Sequence, residues 1–403
     1  KYCLISAFTS FTLFLVSSKL YLKYQKNSPF LLKKIIISVE HFLYVNIVKK
    51  IFFLFDAEDM HNFHTKLGKD LGSSKLLQKL TSIIFSFSHK KLEQTIDGVT
   101  FKNPVGLSAG FDYNGELTGI LPSVGFGFHT IGTVTYHPYE GNKKPRLGRL
   151  LKSKSLVVNK GFKSLGAKTI AKKLSRIKFS IPTGISIGST NKYYKSSKEQ
   201  ITDILKTFSI FEKSKVNHLY YELNISCPNT FGGEPFTNPK KLELLLASLE
   251  NLKISKPIYV KMPIDQSKKA TLLMLRIVDK FHIAGVIFGN LTKDKKNPDV
   301  NKEDQKKWKK IKGNLSGKPT WNRSNELIKL TRENFKNRFT IIGTGGVFTG
   351  EDAIKKMELG ADLVQIITGM IFEGPQVLGD MNLKLAQKAL NKGTKRVGHN
   401  SSN

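Results

Sequence analysis

Tyr221-Glu-Leu-Asn-Ile-Ser-Cys-Pro-Asn-Thr-Phe-Gly-Gly233 runs from an apolar, strand-like segment into a turn-forming run of Pro, Asn and Gly. Proline cannot donate to a sheet ladder, and Asn and Gly accept tight turns, so a strand ends at this junction. Asn224, Ser226, Cys227 and Asn229 cluster there, all small side chains that hydrogen-bond or move a proton. A strand end that delivers a thiol and two amides into one place is a candidate active site.

The same unit recurs on both sides of this stretch. Short apolar runs occur at 104–109, 126–133, 183–188, 218–225, 258–262, 284–289, 339–344 and 362–368. Segments of helical length and pattern separate them, for example 239–253 and 350–359. Strand and helix in alternation predict a parallel sheet with crossover helices, an α/β fold. A repeat count of eight points to a (β/α)8 TIM barrel rather than an open sheet. Just ahead, 92–101 (LEQTI-DG-VTF) reads as a hairpin with a two-residue Asp-Gly turn, placed to plug the barrel's N-terminal end.

With 403 residues the chain has room for one large domain and an appendage. The uncharged run at 3–18, followed by Lys19, Lys23 and Lys26, reads as a hydrophobic membrane anchor over 1–28 with its lysines on the cytoplasmic side. Residues 30–55 mix Phe, Leu and Ile with Lys33, Lys34, Lys49 and Lys50, a pattern suited to a bilayer interface. Asp56 is an expected N-cap, with helix continuing over 57–88. The expected division is therefore an anchor (1–28), a helical extension (29–90), a barrel (91–392) and a polar tail (393–403).

Lys and Arg number 65 against 31 Asp and Glu, a formal charge of +34. Such a balance invites an anionic partner. The lysines are spread along the whole chain, which favours compositional bias for most of them and an anionic membrane surface for those near the N-terminus. The Lys run at 302–312 reads as a solvated helical face or mobile insert, and no nucleic acid partner is expected. Cys3 and Cys227 cannot build a disulfide framework, and without CxxC or paired His no metal site is expected.

In such a barrel the chemistry lies at the strand C-terminal ends. These ends deliver amides, hydroxyls, glycines and Lys261, with no carboxylate pair for glycoside hydrolysis. Gly343-Thr-Gly-Gly346 and Thr368-Gly369 follow the seventh and eighth runs, where backbone amides of barrels often hold phosphate. Phosphate at one end, and amides with one lysine around the rest, suit a flavin; Cys227 would move a proton beside it.

Six motifs now carry a family resemblance: Asn103-Pro-Val-Gly-Leu-Ser-Ala-Gly-Phe-Asp112, Ile131-Gly-Thr-Val-Thr135, Lys144-Pro-Arg-Leu147 with Arg149, Asn224-Ile-Ser-Cys-Pro-Asn-Thr230, Leu315-Ser-Gly-Lys-Pro319 and Ile342-Gly-Thr-Gly-Gly-Val347. Residues from about 50 to 380 resemble the dihydroorotate dehydrogenases, the FMN enzymes of pyrimidine synthesis. Leu54-Phe-Asp-Ala-Glu-Asp-Met-His61 resembles the membrane-associated extension of their quinone-dependent class.

The resemblance implies that dihydroorotate is oxidised to orotate, with Cys227 taking the C5 proton while hydride leaves C6 for FMN. It implies substrate contacts at Asn159, Asn224, Asn229, Thr230 and Asn290. For FMN it implies Ala109, Gly110, Tyr113, Thr133, Ser186, Lys261, Gly317, Gly345, Gly346, Ile367, Thr368 and Gly369. For a membrane quinone it implies His61 and Arg149.

Departures from the family pattern are visible. Ser is usual at the base position of the quinone class, and Cys227 is the soluble class's choice. Tyr113 stands where Lys is usual, Ser186 where Asn is usual, and Asn159-Lys-Gly-Phe162 is one residue short. Fumarate or NAD as acceptor, or a flavoenzyme like the tRNA dihydrouridine synthases, remain alternatives. The expected location is a membrane, the bacterial cytoplasmic membrane or, for a eukaryotic source, the mitochondrial inner membrane.

Overall fold

The computed structural model describes residues 29–397. The anchor expected over 1–28 lies outside the described residues. Among the described residues, no helix is long and apolar enough to cross a membrane.

Two short strands, β1 (Gln94–Ile96) and β2 (Val99–Phe101), form an antiparallel hairpin. Asp97 and Gly98 turn it with φ of 49° and 76°, the left-handed pair that a two-residue hairpin demands. The barrel follows, closed by parallel strands β3 (Val105–Leu107), β4 (Phe128–Val134), β7 (Thr183–Ile187), β8 (Tyr220–Asn224), β9 (Ile258–Met262), β10 (Gly285–Phe288), β12 (Thr340–Thr344) and β13 (Leu363–Ile366). The first strand, β3, closes the ring against the last, β13. Both faces of these strands are buried, one by the barrel interior and the other by helices. This explains why the sequence shows continuous apolar runs rather than alternation.

The barrel interior is layered. At the hairpin end, Phe101 of β2 packs edge-on to Phe128 at 5.2 Å, with Tyr220, Tyr259, Ile287, Ile342 and Leu363 completing the floor. Above it, Glu222 accepts from Thr130 Oγ1 and from Gln365 Nε2, each at 2.6 Å. This polar layer carries a buried carboxylate inside the barrel. The next layer upward contains Asn224 and Lys261, adjacent in the β8–β9 register.

A second hairpin, β5 (Leu147–Leu150) and β6 (Ser155–Val158), leaves the barrel after β4 and pairs with β11 (Asn314–Leu315). It has its own small core of Leu150, Val157, Val300, Trp308 and Leu315. Helix 302–308 therefore packs on this sheet through Trp308. The lysines of the run, Lys302, Lys306, Lys307, Lys309, Lys310 and Lys312, are exposed as a solvated face, while Asp304 and Trp308 form its buried side.

Ahead of the barrel come α1 (Pro29–Leu43), α2 (Ala57–Gly72) and α3 (Lys75–Phe85). Asp56 caps α2, its Oδ1 accepting from the N–H groups of Glu58 and Asp59. The single helix expected over 57–88 is two helices. Ser74 accepts from Leu77 N–H with φ −110°, and so caps a new helix rather than continuing the old one. Buried Lys33 reaches from α1 to the end of α3 and donates to the carbonyls of Ile83 and Ile84 at 2.8 and 2.7 Å. These carbonyls have no partner within their own helix.

Helix α1 is apolar on two sides. Leu32, Ile36 and Ile37 face inward, while Leu31, Ile35, Val39 and Phe42 stand exposed at helical spacing on the other side. At the C-terminus, α4 (Val377–Val397) packs back on α1 and α3 and runs past the expected start of the polar tail.

Candidate active site

A cavity opens at the C-terminal ends of the barrel strands, and α2 and the β5–β6 hairpin cover part of it. Its lining brings together His61, Ala109, Gly110, Tyr113, Thr133, Asn224, Cys227, Asn229, Lys261 and Asn290 with the glycines 317, 345, 346 and 369, Ile367 and Thr368. The lining also includes Lys160 and Lys163, and no carboxylate belongs to it. An acid-free cavity with several cations is built for an anionic ligand.

The β3 loop is fixed by Asp112 and β4. Asp112 is buried, its carboxylate accepts from the N–H groups of Glu116 and Leu117, and His129 Nε2 lies 3.3 Å away. Burial acts to raise the Asp112 pKa, and His129 with the backbone donors outweighs it and holds the carboxyl below its ordinary range. Gly110 N–H donates to Gly132 O at 2.8 Å, and Gly132 N–H to Asp112 O at 3.0 Å. Ala109, Gly110 and Phe111 are thereby held against β4.

Lys261 is fully inside the barrel and donates to Ser108 Oγ at 3.0 Å. Burial lowers its pKa, with Glu222 and Cys227 opposing. Beside it, Asn224 Nδ2 donates to Thr133 Oγ1 at 2.8 Å, and Thr133 in turn meets Ser186 Oγ at 3.0 Å. Ser186 thus stands beneath the cavity lining and steadies it. Asn290 Nδ2 is turned onto Ser226, reaching both its carbonyl and its hydroxyl.

Burial pushes the Cys227 thiol up to about 12; the Asn229 backbone N–H and Lys261 pull the other way, and Glu234 adds to the rise. The thiol form therefore dominates at neutral pH. The loop carrying Cys227 is tied down by asparagines. Asn229 Nδ2 donates to Val158 O at 2.8 Å and its Oδ1 accepts from Asn314 at 2.7 Å. Asn142 is the hub: its Nδ2 donates to Asn159 Oδ1 and Asn229 O, and its Oδ1 accepts from Tyr139 and Asn191. Asn159 lies outside the cavity lining and supports this network. Thr230 is not among the lining residues either, and it donates to Gly233 O at 2.8 Å.

Asn142 lies in a Gly-Asn-Lys-Lys turn that looks like any polar loop, so nothing in the sequence marks it. Lys160 was likewise hidden among 65 basic residues. Its ammonium lies 2.5 Å from Glu58 on α2 and 5.7 Å from the Tyr113 ring centroid. Burial lowers it to about 8, against the pull of Glu58.

On the α2 side, His61 Nε2 lies 2.8 Å from Phe111 O. A carbonyl can only accept, so Nε2 carries the proton and Nδ1 presents a lone pair, buried and without a hydrogen-bond partner among the described residues. Burial lowers the pKa of this imidazole, which stays neutral at pH 7. Arg149 is not in the lining. It donates to Phe55 O at 2.7 Å and stacks on Phe53 at 4.7 Å, fixing the segment between α1 and α2.

At the other end the backbone makes a cradle. Gly345 and Gly346 have φ of 92° and 72°, a region other residues rarely enter. A Cβ on Gly346 would stand 2.5 Å from Trp321 Cβ, and one on Gly369 would stand 2.0 Å from Val347 O. Among the described residues neither the Gly345 nor the Gly346 N–H finds an acceptor. Free amides at a glycine cradle, beside an acid-free lining, fit a phosphate-bearing flavin.

The dihydroorotate dehydrogenase family model matches residues 91–388. A protein of Christiangramia forsetii named dihydroorotate dehydrogenase (quinone) is 36% identical over 358 residues, covering 86% of this chain and 100% of its own. One of the same name from Trichodesmium erythraeum is 36% identical over 327 residues, covering 78% and 85%. Among solved structures, ligand-free DHODH from Eimeria tenella is similar with a TM-score of 0.68 and 25% identity, covering 81% of this chain and 95% of that one. The same enzyme in complex with ferulenol gives a TM-score of 0.72 at 24% identity, covering 84% and 93%.

Proposed function

The chain belongs to the dihydroorotate dehydrogenase family, and we propose that it oxidises dihydroorotate to orotate with FMN and passes the electrons to a membrane quinone, in pyrimidine biosynthesis. The observation that carries this reading is an acid-free cavity that holds a thiol, a ring of amides, a glycine cradle and a neutral histidine at its helical end.

When bound, FMN supplies a two-electron acceptor for hydride from C6 of dihydroorotate and a donor for quinone. Gly345 and Gly346, with Gly317, Thr368 and Gly369, would hold its phosphate, and Ala109, Gly110, Thr133 and Lys261 its ring. Cys227 Sγ takes the proton from C5 of the substrate. Its thiol is pushed up to about 12, so the reactive thiolate is scarce at neutral pH and Lys261 is the nearby charge that favours it.

Asn224 keeps one N–H after serving Thr133, as does Asn229 after serving Val158. These two amides would hold the carboxylate and ring carbonyls of orotate, and Asn290, whose two N–H groups are held by Ser226, would join them on releasing that hydroxyl. The free Nδ1 of His61 is an acceptor suited to a hydroxyl of the reduced quinone. The exposed apolar row of α1, with Lys34 beside it, suits the interface of an anionic membrane, so the protein would be membrane-associated.

The test uses full-length protein purified in detergent. A flavin spectrum, and reduction of a quinone-coupled dye that depends on dihydroorotate, are expected. Colourless protein, or dye reduction indifferent to dihydroorotate, would refute the reading.

A further inference from the structure

Lys356 is a buried cation with no acid. It lies on the helix Gly350–Glu358, and its exposure is 0%. Among the described residues no carboxylate lies within ion-pair distance of it. Its three ammonium protons have three other destinations. Ser324 Oγ and Asn325 Oδ1 each accept at 2.9 Å, and the Trp321 ring centroid lies 4.8 Å away. Burial lowers its pKa to about 7, with only Asp352 opposing. Burying such a group without an acid is unfavourable, and an apolar side chain of the same length would fill the space.

Two of these partners, Ser324 and Trp321, bear on the glycine cradle. Ser324 Oγ donates to Thr344 O at 2.6 Å, so the hydroxyl stands between the ammonium and that carbonyl. A trans peptide points its C=O and N–H in opposite directions. Drawing electrons toward Thr344 O therefore strengthens the Gly345 N–H as a donor on the other side, the N–H that finds no acceptor among the described residues. Trp321, over which the ammonium lies, is the residue whose Cβ backs Gly346. The aliphatic part of Lys356 packs under Gly343, where an added Cβ would stand 3.1 Å from Lys356 Cδ.

We propose that Lys356 is a positioning residue for the anionic end of the flavin. Through Ser324 and the Thr344–Gly345 peptide it polarises the amide that faces the phosphate, and through Trp321 it fixes Gly346. This inference rests on the flavin reading above, and it separates phosphate binding from ring binding.

The experiment equilibrates full-length wild type, Lys356→Met and Ser324→Ala by dialysis against graded FMN or riboflavin and reads flavin occupancy from absorbance. Wild type should bind FMN more tightly than riboflavin. Lys356→Met should lose about tenfold or more in FMN affinity, the scale of one charge-assisted hydrogen bond, with riboflavin affinity unchanged. Ser324→Ala should lose FMN affinity in the same direction, which keeps the test decisive if the methionine variant fails to fold. Unchanged FMN affinity in both variants overturns the inference. Equal loss of FMN and riboflavin overturns it too, since that marks a general structural role. Wild type that binds neither flavin refutes the flavin reading itself.

Discussion

Glu58 and Lys160 form a buried ion pair, with Oε1 2.5 Å from Nζ, that ties the first turn of α2 to the loop lining the cavity. Arg146 joins them, its Nε and Nη2 both 2.9 Å from Glu58 Oε1. The helical extension is thus fastened to the barrel beside the site by buried charges.

Glu58→Gln should destabilise the protein by about 3 kcal/mol at pH 7, because it leaves two buried cations without their anion. Burial acts to raise the Glu58 pKa, and Lys160 and Arg146 outweigh it and hold the carboxyl below its ordinary range. A depressed carboxylate contributes stability above its unfolded pKa and loses it as pH falls through the folded value. Urea denaturation of both proteins should therefore show a gap at pH 7 that narrows below about pH 4. A constant gap would contradict the ionic account.

Cys227→Ala should cut the rate of flavin reduction by dihydroorotate by about a hundredfold or more, the usual scale of a lost general base. Since the thiol is pushed up to about 12, thiolate in the wild type grows with pH throughout the neutral range. Reduction measured anaerobically from about pH 7 to 9 should rise without a plateau. Saturation below about pH 7.5 would mean that another group is the base.

His61→Ala should divide the two half-reactions. Dihydroorotate should still reduce the flavin at close to the wild-type rate, while reoxidation by quinone should fall about tenfold, the value of one lost hydrogen-bonding partner. Equal loss in both steps would place His61 in the support of the Phe111 carbonyl rather than at the quinone.

The exposed row of α1 predicts a difference between quinones. Replacing Leu31, Ile35, Val39 and Phe42 by Gln should raise KM for a long-chain quinone held in vesicles, because each loses about 1.5–3 kcal/mol of apolar burial at the bilayer. It should leave a water-soluble quinone analogue unaffected. Equal effects on both would argue against a membrane-facing role.

The barrel was legible because its strands are buried on both faces and so appear as unbroken apolar runs, each stopped by Gly, Pro or Asn. The junction at Asn224–Asn229 was legible for the same reason. Local signals failed where one helix gave way to another at Ser74, since Ser is common within helices as well as at their caps. Tertiary networks were not legible at all. Glu222 sits inside an apolar strand run, Asn142 in an ordinary polar turn, and Lys356 and Lys160 among many lysines. Their importance comes from partners far away in the chain, for example Gln365 for Glu222 and Asn229 for Asn142. Arg149, Asn159, Thr230 and Ser186 show the converse: their motifs placed them near the site, while their hydrogen bonds place them behind the lining.

The most direct test of the account follows the flavin through both half-reactions in one anaerobic experiment on the full-length protein. Dihydroorotate alone should bleach the flavin spectrum, and a subsequent pulse of quinone should restore it within the time of a turnover. A flavin that dihydroorotate does not bleach would contradict the substrate, and one that bleaches but is not restored by quinone would contradict the acceptor.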